Sequence, residues 1–170
     1  ISNSGLNDFI EGGFYRYTVD SEWKIPHFEK MLYDHAQMIS MYSQAYKLYK
    51  DEFYKDIVIE TINFLNSKMS SKDGLYYAAM DADTDGKEGK YYSFNKEELD
   101  LISKNTDFET FASYYNIEIN NPWEDDRYLL LPMRKNYEAD WLKANNLSKS
   151  DLTSQKKVWE SNIISIKDSR

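Results

Sequence analysis

The sequence predicts a mainly α protein with one small β-hairpin inserted among its helices, and three observations carry that prediction. Apolar residues recur at helical spacing over two long stretches, 26 to 49 and 52 to 70, separated only by Lys50-Asp51. Polar, glycine- or proline-bearing breaks follow at Ser70-Ser71-Lys72-Asp73-Gly74 and at Asn120-Asn121-Pro122-Trp123. Between those breaks, Asn95 and Glu98 have the spacing of a capping box, which marks the start of a further helix.

Residues 1 to 11 show no clear period, and Gly5, Gly12 and Gly13 interrupt them. The Gly-Gly step is not followed by a phosphate-binding glycine pattern, which excludes a nucleotide loop. An extended Phe14 to Tyr17 would direct Phe14 and Arg16 to one side and Tyr15 and Tyr17 to the other. Pro26, with its fixed φ and missing N–H, reads as the first residue of the first long helix, which places His27 in its first turn. Phe28, Met31, Leu32, His35, Ala36, Ile39, Ser43 and Tyr46 then form a core-facing stripe, with His27, Lys30, Asp34 and Gln37 on another face. Phe53, Ile57, Glu60, Ile62, Phe64, Leu65 and Met69 mark the second helix, and the two-residue break makes the pair an antiparallel hairpin. Leu75 to Met80 and Lys90 to Phe94 read as short strands around a polar loop. Lys96 to Ser103 and the region of Phe108, Phe111, Ala112 and Tyr115 read as short helices. Tyr128 to Leu131 reads as a strand, and Tyr137 to Asn145 and Ser148 to about Lys167 as two more helices.

The net charge is −8, from 21 Lys and Arg against 29 Asp and Glu, and no long basic cluster interrupts it. Nucleic acid and anionic membrane surfaces are therefore poor partners. No apolar run approaches the length of a membrane span and no export signal is visible, so the expected location is cytoplasmic. The chain has no cysteine, which removes disulfides and thiolate chemistry; neither a cofactor nor a metal is expected. It opens on Ile1 rather than Met and ends without a helix-stopping residue, as a piece of a longer protein would. Its 15 tyrosines and 4 tryptophans suit the walls of a sugar-stacking groove and equally suit helix packing.

Three places carry titratable groups that could do chemistry. An imidazole in the first turn of a helix is biased toward its neutral, proton-accepting form, so His27 suits a general base, or else it packs at the mouth of the hairpin. The other histidine, His35, would stand roughly 12 Å further along the same helix and sits on the apolar stripe, which makes it structural. Lys30 and Asp34 have the spacing of a helical ion pair on a solvated face. Asp81-Ala82-Asp83-Thr84-Asp85-Gly86 matches the opening of a calcium loop, but Tyr92 stands where the bidentate glutamate belongs. If extended, Asp81 and Asp83 project to the same side roughly 7 Å apart, a separation compatible with an acid–base carboxylate pair; a plain polar turn is the alternative.

Gly12-Gly13-Phe14-x-Arg16-Tyr17, then Trp23, then Pro26-His27-Phe28-Glu29-Lys30-Met31-Leu32-Tyr33-Asp34 form a long, unusual string. Together with Asp81-Ala82-Asp83 and Glu88-Gly89-Lys90-Tyr91-Tyr92 it resembles the family of thioredoxin-domain-containing proteins that includes spermatogenesis-associated protein 20. The likeness runs from about Gly5 to Leu99. It implies an α/α toroid related to six-hairpin glycosidases and N-acylglucosamine 2-epimerases, present here only as its opening hairpins. An upstream thioredoxin-like domain and the remaining hairpins would lie outside residues 1 to 170. Inner helices of a toroid aim their first turns into a central cup, which favours functional roles for His27, Glu29 and Lys30. The expected reading is a carbohydrate-handling region, epimerase-like or glycosidase-like, with His27, Asp81 and Asp83 catalytic. Arg16, Tyr17, Trp23, Glu29, Lys30 and Glu88 would bind or wall the substrate, and Asp34 would orient a neighbour. The alternative is a non-catalytic module that holds a peptide or the thioredoxin-like domain. Half a toroid also leaves an apolar flank open to self-association.

Overall fold

The computed structural model describes residues 1–170, apart from the side chain of Asn136. The described residues form a mainly α fold with six helices and three two-stranded ribbons. The chain folds as two compact units, residues 1–89 and 90–170.

In the first unit the expected helical hairpin is present: α1 (Leu32–Tyr49) packs on α2 (Glu52–Lys68). Lys50 turns the chain in the left-handed region at φ 55°, and the Asp51 side chain caps α2 by accepting the Phe53 N–H at 3.0 Å. The first helix does not begin at Pro26. Residues 26 to 31 are spent on strand pairing instead. β1 (Tyr17–Thr18) pairs antiparallel with β2 (Pro26–His27), and β3 (Lys30–Met31) pairs antiparallel with β4 (Ala79–Met80). Pro26 lies on a two-stranded ribbon, where a missing donor costs little. Met31 supplies no side-chain cap to α1; the Leu32 N–H finds the Ala78 carbonyl at 2.9 Å, so the returning chain closes the helix start.

The core stripe of α1 is also shifted from the expected one. His35 and Tyr42 are buried, with Leu32, Met38 and Ile39 packed beside them, whereas Ala36 and Ser43 face solvent. Opposite them α2 buries Ile57, Thr61, Phe64 and Leu65. Phe14 enters this core, stacking on Tyr42 with ring centroids 6.2 Å apart, while Tyr15 meets Phe28 edge-on at 5.3 Å. The alternation expected of residues 14 to 17 is thus absent, because neighbouring Phe14 and Tyr15 are both buried against different walls.

Gly13 makes that entry possible. Its φ is +79°, and a Cβ there would stand 2.6 Å from both His35 Nε2 and Phe64 Cδ1.

The expected strands at 75 to 80 and 90 to 94 are largely replaced. β4 covers only residues 79 and 80, and the polar loop is itself a ribbon, β5 (Asp83–Thr84) with β6 (Lys87–Glu88). Asp85 and Gly86 both take positive φ, 53° and 73°, as a two-residue type I′ turn requires.

In the second unit α3 (Lys96–Ile102) opens on the expected capping box of Asn95 and Glu98. It is followed by α4 (Phe108–Tyr114), α5 (Lys135–Ala144) and α6 (Lys149–Asp168), the last capped reciprocally by Ser148 and Asp151. Tyr128 makes only an isolated bridge with Phe94 rather than a strand. Trp159 is the centre of this unit, fully buried against Phe111, Tyr114 and Tyr115, with its indole N–H donating to Thr106 Oγ1 at 2.7 Å.

Candidate functional site

The two helices of the hairpin have 18 and 17 residues, so the end of α2 returns to the start of α1. The β3–β4 pairing secures that return and delivers β5 and β6 to the same rim as β1 and β2. The register sets Tyr17 across from His27, and Asp83 across from Glu88.

His27 is held from two sides. Its Nδ1 is 2.7 Å from Glu88 Oε1, and its ring lies on the Tyr17 ring, 4.9 Å between centroids and 20° from parallel. A carboxylate can only accept, so Nδ1 donates, and in the neutral tautomer the lone pair lies on Nε2. That nitrogen is 3.8 Å from Glu29 Oε2, which in turn accepts from Arg16 Nη1 at 2.9 Å. The Arg16 guanidinium also lies 5.9 Å from the Tyr17 ring centre. Glu29, and less strongly the Tyr33 hydroxyl, hold the Arg16 pKa above its ordinary value. Asp34 is shifted the opposite way from a typical paired carboxylate: burial raises its pKa, Arg16 opposes that, and Glu29 adds to it.

The structure therefore brings Arg16, Tyr17, His27, Glu29 and Glu88 together in direct contact, with Asp34 within electrostatic range. His27 owes nothing to a helix terminus, since it lies on a strand before α1; its orientation comes from Glu88.

Lys30 is elsewhere. Its side chain is 0% exposed, and Nζ donates to Asp8 Oδ2 at 2.7 Å and to the Gly12 carbonyl at 3.0 Å, over the faces of Tyr15 and Phe64. The expected Lys30–Asp34 helical pair does not form, because strand pairing turns Lys30 into the core. Trp23 stands half-exposed in the loop joining β1 to β2, at φ 62°. Asp81 makes a local turn, its Oδ1 accepting the Asp83 N–H at 3.1 Å, and both carboxylates are exposed. A broad open groove on the outer face of α1, lined by Met41, Gln44 and Leu48 among others, is separate from this cluster. Among the described residues no group of three or more acidic or histidine side chains is arranged to hold a metal ion, and no helix is long and apolar enough to cross a membrane.

His35 has the structural role that its place on the apolar stripe implied. It is 0% exposed, its Nδ1 donates to the Met31 carbonyl at 2.6 Å, and its Nε2 accepts the Phe14 N–H at 2.9 Å. Burial, and then the nearby Lys30 ammonium, push its pKa down, against the Met31 hydrogen bond. A neutral imidazole thus ties the Gly12–Tyr17 segment to the start of α1, and so fixes the backbone that carries Arg16 and Tyr17. A histidine on an apolar stripe, paired with a glycine step upstream, was the available sign of it.

This is a mainly α chain with a carboxylate-bound imidazole at the rim of its helical hairpin, and comparison with curated proteins gives its relatives. It is 41% identical over 108 residues to spermatogenesis-associated protein 20 of Homo sapiens, a match covering 60% of this chain and 14% of that protein. The mouse protein of the same name is 39% identical over 108 residues, and an uncharacterized Caenorhabditis elegans protein is 37% identical over 133 residues, 69% of this chain and 18% of that one. The chain is homologous to spermatogenesis-associated protein 20 over about 60% of its length. It spans less than a fifth of the length of these relatives. No protein-family model matches it.

Proposed function

We propose that this chain is part of a carbohydrate-handling α/α toroid, with α1 and α2 as one of its hairpins and the His27 cluster as a proton-transfer site of an epimerase-like reaction. The observation that carries the reading is the Glu88–His27 hydrogen bond. A carboxylate on Nδ1 fixes the tautomer, aims Nε2, and stabilises the imidazolium that forms when Nε2 takes a proton. Arg16 and Glu29 would bind hydroxyl groups beside that nitrogen, and the exposed faces of Tyr17 and Trp23 would wall the sugar. Asp81 and Asp83 would contribute from the β5 edge as binding groups rather than as a hydrolytic pair, because Asp81 is already engaged in its own turn. His35, locked in the core, is not the second base of a histidine pair, so proton return would fall to another group of the site.

The test is binding and turnover in the intact protein. A panel of neutral monosaccharides is incubated in D2O, and deuterium incorporation next to the carbonyl carbon is followed by NMR. Exchange that His27→Ala abolishes is the expected result. Absence of both sugar binding and exchange, or exchange indifferent to His27→Ala, refutes the reading.

A further inference from the structure

Residues 26 to 30 alternate: Pro26, Phe28 and Lys30 are buried, while His27 and Glu29 between them are partly exposed. An inward position in such a run calls for an apolar side chain. This one holds a lysine that is 0% exposed, paired with Asp8, whose side chain is 4% exposed. The cost of taking two charges out of water can exceed their mutual attraction, so a buried ion pair is weak evidence of stabilisation and asks for another reason. The reason lies in what the two side chains hold. Lys30 Nζ donates to Asp8 Oδ2 at 2.7 Å and to the Gly12 carbonyl at 3.0 Å, and Asp8 Oδ1 accepts the Ile10 and Glu11 N–H groups at 3.0 and 3.1 Å. Backbone bonds from Gly12 N–H to the Asp8 carbonyl and from Asp8 N–H to the Gly13 carbonyl close the same loop. Gly12 and Gly13 sit at φ 84° and 79°; glycine reaches other conformations as readily, so without a grip this step is a hinge. Arg16 and Tyr17 lie just beyond that hinge, and His27 and Glu29 lie just before Lys30.

We propose that the buried Asp8–Lys30 pair is a positioning device: it clasps the chain that carries Arg16 and Tyr17 to the strand that carries His27 and Glu29, and so sets the contacts among those four residues. The clasp joins positions 22 apart in sequence, and directly beyond it the Arg16 N–H donates to the Glu29 carbonyl at 2.9 Å. With Lys30 turned inward, its neighbour Glu29 turns outward, where it meets Arg16 Nη1 at 2.9 Å and faces His27 Nε2 at 3.8 Å. His35 holds the same chain at Phe14, past the hinge, whereas Lys30 holds the Gly12 carbonyl within it. Both members of the pair are too deeply buried to meet a ligand, so they act through Arg16 and Glu29 rather than as catalytic residues. The proposal concerns how the cluster is assembled, and it stands apart from whether the cluster binds a sugar.

The experiment compares the intact wild-type protein with the double variant Asp8→Leu, Lys30→Met, which keeps the shapes of both side chains and removes both charges together, a change that buried pairs commonly tolerate. Two readouts are taken. Hydrogen exchange followed by mass spectrometry should show peptides covering residues 8 to 16 exchanging about tenfold faster or more, with the α1 and α2 peptides unchanged. Nitrogen-15 NMR of histidine-labelled protein, at a pH where the ring is neutral and with His27 assigned through His27→Gln, reads the tautomer. The wild type should show the proton on Nδ1 and the variant a mixture of both tautomers, because Tyr17 and Glu29 no longer pin the ring. A pair that merely supported the core would leave the tautomer alone. Both results are required, and the absence of either overturns the proposal, as does faster exchange spread equally over α1 and α2. If the double variant does not fold, Asp8→Asn with Lys30→Met, which keeps an acceptor for the Ile10 and Glu11 N–H groups, carries the same comparison. If neither folds, the pair is a requirement of folding itself and the proposal falls.

Discussion

Replacing His35 by leucine removes the one side-chain acceptor that the Phe14 N–H possesses while keeping most of the volume that packs on Phe64. The imidazole is 0% exposed and its Nε2 accepts from Phe14 at 2.9 Å. Phe14 itself is 1% exposed, so water cannot replace the lost acceptor without opening the core. A stranded buried donor costs about 1–3 kcal/mol. The Met31 carbonyl remains acceptor to the helix backbone, and ring stacking on Phe64 at 5.1 Å is only partly lost, so the donor dominates. For a unit of this size that corresponds to roughly 4–8 °C in Tm per kcal/mol. The pH dependence gives an independent reading. Burial and Lys30 lower the folded-state pKa of His35 below the ordinary histidine value, so the unfolded chain binds the extra proton first as pH falls. This contribution to stability is complete above about pH 6.5, the unfolded value, and is lost progressively below it. Urea denaturation at pH 7.5 and 5.5, with hydrogen exchange of the Phe14 amide, reads both effects. His35→Leu should be less stable at pH 7.5 and should lose less on acidification than the wild type. A variant as stable as wild type, or with the same pH slope, refutes the account of His35 as a neutral tie.

Gly13→Ala places a methyl 2.6 Å from both His35 Nε2 and the Phe64 ring at a φ of +79°, so a loss of about 1–3 kcal/mol is expected by thermal denaturation, and full stability would show that the segment can back away. Met41, Leu48, Ile59 and Ile62 are exposed on the hairpin, Leu48 at 72%, and the isolated 170-residue chain is expected to self-associate through them. Sedimentation velocity checks this: Met41→Lys with Leu48→Lys should shift the chain toward monomer, and a wild type that stays monomeric at high concentration removes the argument.

The hairpin of α1 and α2 was legible because helical spacing and a two-residue break are local features, and both survive in the structure. The start of α1 was not. Pro26 is a good first helical residue by its own chemistry, but residues 26 and 27 pair with nearby β1 across a short loop, residues 30 and 31 pair with β4 far along the sequence, and together these pairings outweigh the local preference. Separation in sequence also hid Asp8 as the partner of Lys30, which makes the lysine expected on a solvated or substrate-binding face a fully buried cation. The hairpin near Glu88 was misplaced for a different reason. Asp85-Gly86 is a strong two-residue turn, yet the ribbon it closes is polar throughout and shows no alternation to read. Which carboxylate meets the imidazole depended on register, which residue types alone do not give.

That register yields a test separating the two acidic groups of the β5–β6 ribbon. Glu88 accepts from His27 Nδ1 at 2.7 Å, and Glu88→Gln keeps an acceptor in place but removes the charge that favours an imidazolium. The side chain is 44% exposed, so the stability change should be within about 0.5 kcal/mol. If His27 is the base of the proposed reaction, its proton transfer should nevertheless fall by about 10²-fold or more, the range that general-base catalysis supplies. Asp81→Asn can still accept the Asp83 N–H through its amide oxygen, so the turn persists and only a charge at the edge of the ribbon is lost. Deuterium exchange into a neutral monosaccharide, measured for both variants in the intact protein, should then drop sharply for Glu88→Gln and by less than about tenfold for Asp81→Asn. The reverse order would move the chemistry from the imidazole to the aspartate pair, and equal, small effects would leave His27 without a catalytic partner.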